Sequence, residues 1–127
     1  MDSDEKRSLI ERYLAAYNAF DVDGMMATIH RDVEFKNISG GVVNATVSGA
    51  HEFRQLAEQS KGLFSSRNQT VRTFESHEDK AVIEVVYEAV LASDLPNGMK
   101  AGETLRLDGR SEFVFRDGKI HQLADYS

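Results

Sequence analysis

A tyrosine pair and an aspartate with a neighbouring histidine are the side chains in this sequence best suited to chemistry. Tyr13 and Tyr17 stand one helical turn apart on an apolar stripe, so both hydroxyls would reach the same region, where they could donate hydrogen bonds to a carbonyl or enolate oxygen. Asp125 lies in the final strand-like segment, alternating with Leu123 and His121 on one face. A carboxylate buried beside aromatic side chains is desolvated, and its pKa rises toward the range useful for moving protons. His121, on the same face, would share a proton with Asp125 or orient a water. Asn37, on the side of Phe35, would hold a substrate oxygen or a water. Ser111 and Tyr87 also point inward and would line the same space. Each has a structural alternative: a capped strand end, a hydroxyl tied to backbone, or a satisfied core histidine.

Other chemistries find no support. There is no cysteine, hence no thiolate nucleophile or thiolate metal site. His30, His51 and His77 follow no metal-binding spacing such as H-E-x-x-H. Gly40-Gly41 lacks the helix and lysine of a phosphate loop, so neither a metal nor a nucleotide cofactor is expected. With 21 acidic and 15 basic residues the net charge is −6, and no basic stripe appears, which argues against nucleic acid or an anionic membrane as partner. The acidic start and the lack of a long apolar run point to a cytoplasmic protein.

The elements that must carry these residues read as one domain spanning 1–127. Residues 4–20 carry a helical period through Leu9, Ile10, Tyr13, Leu14, Tyr17 and Phe20. A short helix is expected from Asp21 to His30, a strand over Val33–Ile38 with a return over Val42–Val47, and a third helix from Ala50 to about Phe64 with Phe53, Leu56, Ala57, Leu63 and Phe64 on one side. Four strands follow, over 68–76, 80–92, 103–116 and 119–126, with turns at Glu78-Asp79, Pro96-Asn97-Gly98 and Asp117-Gly118. Helices first and a long antiparallel series after them specify an α+β fold. Period two directs Leu105, Leu107, Gly109, Ser111, Phe113 and Phe115 toward the helices, and Val82, Val86 and Val90 to the opposite face of their strand. That valine stripe is too apolar for water, and a homodimer packed sheet to sheet is expected.

The run Leu9–Met25, the strand ending Asp32-Val33-Glu34-Phe35, the Ser48-Gly49 pair and the hairpin Phe113–Ile120 together resemble the nuclear-transport-factor-2-like superfamily, closest to its SnoaL-like and ketosteroid-isomerase-like branch. The resemblance covers nearly the whole chain. It implies a cone: a bent sheet of about six strands, mixed or antiparallel, closed by three helices from the N-terminal half and dimeric through the sheet. It also aligns Tyr13 with the tyrosine of the steroid isomerases, but Asn37 with their aspartate base and Ser111 with their aspartic acid. An amide cannot abstract a proton at neutral pH, so that mechanism does not transfer. The SnoaL-like cyclases carry an acid/base aspartate on the last strand, and the resemblance gives that role to Asp125.

The expected function is binding of a small apolar carbonyl compound, with cofactor-free proton transfer of isomerase, cyclase or dehydratase type. Asp125, His121 and Tyr13 would be catalytic, and Tyr17, Asn37, Phe35, Phe53, Tyr87, Ser111, Phe113 and Leu123 would line the pocket beside adaptable Met25 and Met26. The alternatives are a non-catalytic ligand-binding or dimerisation module and a purely structural domain with a collapsed cone.

Overall fold

A computed structural model describes all 127 residues. Three helices, α1 (Ser3–Asn18), α2 (Val22–Met26) and α3 (Ala50–Lys61), pack into the bend of a six-stranded sheet. The strands are β1 (Ile29–Ser39), β2 (Val42–Ser48), β3 (Phe64–His77), β4 (Lys80–Leu91), β5 (Thr104–Arg116) and β6 (Lys119–Tyr126), in the order β2-β1-β6-β5-β4-β3. β1 and β6 run parallel and every other neighbouring pair antiparallel, so the sheet is mixed and unclosed. This is the α+β class expected from the order of elements and the cone that the family resemblance implies.

Local chemistry sets the boundaries. Asp2 caps α1 by accepting from the Glu5 amide, and Asp21 caps α2 by accepting from that of Gly24. α1 stops at Asn18 because Phe20 enters the left-handed region at φ 58°, two residues before the apolar period would end it. The second helix is shorter than expected. Thr28 turns its hydroxyl back onto the Met25 carbonyl at 2.7 Å, and the chain is already a strand at Ile29. α3 likewise ends at Lys61, and β3 starts at Phe64 rather than at residue 68. Leu63, assigned to the apolar side of that helix, lies in the intervening turn and is exposed. The Asp117-Gly118 hairpin forms as read, with both residues at positive φ (54° and 73°) as a tight primed turn requires.

The core lies between helices and sheet. Leu9, Ile10, Tyr13 and Leu14 of α1 meet Ile83 and Val85 of β4 and Phe113 and Phe115 of β5 there, with Phe53 and Ala57 of α3 closing one side. Facing the helices, Ser111, Phe113 and Phe115 are buried as the alternation requires, while Leu107, nearer the open end, is exposed. Val82, Val86 and Val90 occupy the outer face and remain half-buried. No helix is long and apolar enough to cross a membrane.

Candidate functional site

The site is built around Asp125. β6 occupies the middle of the sheet, so Asp125 has β1 on one side, with Asn37 as its neighbour, and β5 on the other, with Ser111 as its neighbour. The strand end is held firmly. The Ser127 amide donates to the Ile38 carbonyl at 2.9 Å, and the Gly40 amide to the Ser127 carbonyl at 3.0 Å. Ser111 donates its hydroxyl to Asp125 Oδ1 at 2.7 Å. Burial among protein atoms pushes the carboxyl up to about 6 from an ordinary 3.8, against the lowering effect of that hydrogen bond.

Two cavities meet at this carboxylate. One, of about 220 Å³, is mostly apolar and walled by Tyr13, Met25, Phe35, Phe53, Leu56 and Ala57. The other, of about 230 Å³, is bounded by Phe64, Gln69, Val85, Tyr87, Gly109 and Ser111. Tyr17, Asn37 and Asp125 line both. Either volume exceeds the roughly 150 Å³ that accommodates benzene in a protein interior.

Three tyrosine hydroxyls surround the junction. Tyr17 donates to Tyr87 at 3.1 Å. Tyr13 packs against Phe53 and Phe113 with ring centroids 6.5 and 6.4 Å apart, and no hydrogen bond is among the influences on its hydroxyl. All three phenols are held above their usual pKa chiefly by burial, and the negative charge of Asp125 adds to the effect. They are therefore neutral donors at physiological pH. Asn37 uses its amide to donate to Asn44 Oδ1 on β2 at 2.7 Å, which leaves its own carbonyl oxygen as an acceptor.

The structure thus brings Asp125, Tyr13, Tyr17, Asn37, Phe35, Phe53, Tyr87 and Ser111 to one hollow. Phe113 and Leu123 lie just beneath it, fully buried in the core, and line neither of the two cavities. His121 is not part of it. Four residues of strand place its Cα roughly 13 Å from that of Asp125, too far for a proton to be shared. A bulge also leaves His121 as an extra residue, for Phe115 pairs with Ile120 and Val114 with Gln122. Its ring sits edge-on to His30, 5.1 Å away, and His30 in turn contacts Asp117 at 3.1 Å. Ile120 takes the inward place that alternation assigned to His121.

Several contributors were missed from sequence. Gln69 and Phe64 line the second cavity, and Arg67 lies behind it. Had the strand been started at Phe64, period two would have put Arg67, Gln69 and Val71 on one face, and an arginine at an inward position would have stood out.

The SnoaL-like domain family matches residues 10–123. The chain belongs to that family. Within the wider nuclear-transport-factor-2-like superfamily, solved structures share its architecture. TsrD from Streptomyces laurentii superposes with a TM-score of 0.81 at 20% identity, covering 98% of this chain and 89% of that one. A proposed polyketide cyclase from Xanthomonas campestris pv. campestris gives 0.77 at 23%, covering 98% and 90%. A proposed SnoaL-like polyketide cyclase from Jannaschia sp. CCS1 gives 0.80 at 12%, covering 95% and 83%. At these identities the likeness establishes the fold alone. No curated protein matches the chain.

Proposed function

We propose that this SnoaL-like protein binds a small apolar carbonyl compound in the hollow and transfers a proton on it without a cofactor. The observation that carries this reading is the position of Asp125: one carboxylate, raised to about 6, at the meeting point of two cavities and surrounded by neutral phenols. With such a pKa about nine-tenths of the groups are ionised at pH 7, yet the conjugate acid is strong enough to return the proton.

The substrate's apolar part occupies the chamber walled by Phe35, Phe53 and Met25, and its oxygenated part lies toward Tyr17 and Tyr87. Asp125 takes a proton from the carbon next to the carbonyl. The C–H electron pair moves into the enolate, whose oxygen a tyrosine hydroxyl stabilises. The protonated Asp125 then returns its proton: to another carbon of the enolate, to the new alkoxide formed when the enolate attacks a second carbonyl, or to a β-hydroxyl that leaves as water when the enolate collapses. These outcomes are isomerisation, cyclisation and dehydration, and all share the first step.

That shared step supplies the test. Cyclic and aromatic ketones are incubated with the protein in deuterium oxide, and exchange at the α-carbon is followed by mass spectrometry. Exchange above the solvent rate with the natural protein and not with Asp125→Asn is expected. Equal exchange from both proteins across the whole panel rejects the enzyme.

We also propose a homodimer through the outer sheet face. Support comes from the half-buried valines of β4 and from a shallow hollow of about 430 Å³ on the same face, where Val82, Val114 and Ala124 are flanked by Lys36 and Glu112.

A further inference from the structure

Arg67 has no place in the chemistry above, yet it is the least expected side chain in the molecule. It is 4% exposed, and its two terminal amino groups, Nη1 and Nη2, are buried with no hydrogen-bond partner. A buried charge is ordinarily paired with an opposite one. Here two aromatic faces take that role: the guanidinium carbon lies 3.7 Å from the centroid of the Tyr17 ring and 4.5 Å from that of Phe20. Phe20 presents its ring from a left-handed backbone, φ 58°, which is a strained conformation for a phenylalanine. The Nε of Arg67 donates to the Tyr17 carbonyl at 2.8 Å. The same corner is already stitched by Asn18, whose side chain accepts from the Gln69 amide at 2.8 Å and donates to the Gln69 carbonyl at 3.3 Å. Holding α1 against β3 therefore does not by itself require a cation.

We infer that Arg67 is a positioning residue for the Tyr17–Tyr87 hydroxyl pair, and that its positive charge, laid flat on the Tyr17 ring, makes that pair the pole of the hollow where negative charge develops on bound oxygen. Arg67 lines neither cavity of the site, so it acts through Tyr17 and does not touch the substrate. A cation on the face of a phenol draws electron density from the ring and strengthens the O–H as a donor. Tyr17 passes that polarisation to Tyr87 through their 3.1 Å hydrogen bond. Arg67 lowers the pKa of Tyr13, Tyr17 and Tyr87 but is absent among the influences on Asp125. The hollow is thus divided, with an anionic base at one side and a cation-backed donor pair at the other. That division is the arrangement enolate formation needs. The catalytic meaning of the inference rests on the proton-transfer reading, but the polarisation of Tyr17 does not.

The experiment therefore uses no substrate. Residue 17 is replaced by 3,5-difluorotyrosine, whose fluorines lower the phenol pKa enough to titrate below strongly alkaline pH, and its ionisation is followed by fluorine NMR. Arg67→Met removes the charge. Arg67→Gln removes the charge but keeps a donor for the Tyr17 carbonyl. Both are expected to raise the midpoint by about 1.5 pH units. Arg67→Lys, which keeps the charge and is the variant best placed to fold, should lie between them and the natural protein. A midpoint in Arg67→Gln equal to the natural one overturns the inference, and so does a value in Arg67→Lys as high as that of the neutral variants. A positive result beside a failed ketone-exchange assay would leave Tyr17 polarised in a binding protein and reject only the enzyme.

Discussion

Replacing Asp125 by asparagine should make the protein more stable, and by an amount that depends on pH. The carboxyl is held at about 6 when folded against 3.8 as its ordinary value. Each pKa unit corresponds to about 1.36 kcal/mol. Because the folded-state pKa is the raised one, the native state binds the extra proton between these two values, and stability falls as pH rises through them. Below both values the group is neutral in either state and costs nothing. Above both, the ionised and desolvated carboxylate costs about 3 kcal/mol, of which about 0.6 kcal/mol is already present at about pH 4. Asparagine has nearly the same shape, still accepts from Ser111, and carries no charge to desolvate. The stability difference between Asp125→Asn and the natural protein, from urea unfolding at several pH values, should accordingly grow from under 1 kcal/mol near pH 4 to about 2–3 kcal/mol near pH 8. A difference that stays flat across that range would refute the reasoning, since it would mean the carboxylate is solvated in the folded protein.

Three further outcomes are expected. Ser111→Ala removes the hydrogen bond that favours the charged form, so Asp125 should titrate above 6 by carbon NMR of its carboxyl, and the acid limb of any activity profile should move up with it; an unmoved midpoint counts against the pair. Phe53→Ala removes a buried ring packed against Tyr13 and Phe35 and should cost about 3–4 kcal/mol in urea unfolding, a loss under about 1 kcal/mol being incompatible with this packing. Val86→Glu puts a charge in the middle of the outer valine stripe and should give a monomer in sedimentation; an unchanged assembly state removes the proposed interface.

The fold was legible because the signals behind it are local and periodic. The α1 stripe, the alternation in β4 and β5 and the Asp-Gly hairpin each specify geometry within a few residues. The errors have local causes too. Thr28 ended a helix through its own side chain, and no periodicity announces that. The β6 bulge shifted the alternation at His121, so two residues expected on one face were separated. Asp125 owes its inward place to the same bulge: continuing the Arg116–Lys119 and Phe115–Ile120 register would set Gln122 against Phe113, and the extra residue instead brings Leu123 opposite Phe113 and Asp125 opposite Ser111. The inward place of Arg67 follows from where β3 starts, but its surroundings do not: its partners are rings from α1 and from the turn after it, brought together only by tertiary packing.

The placing of Asp125 and of the walls on different parts of the fold has an evolutionary consequence. The carboxylate is anchored on an inner strand with a neighbour on each side, while Tyr13, Met25, Phe53 and Leu56 come from helices laid over the sheet. Exchanging helix side chains reshapes the chamber and leaves the proton-handling group where it was. A descendant of this protein could change what it accepts by a handful of substitutions in α1, α2 and α3 without having to reinvent its acid.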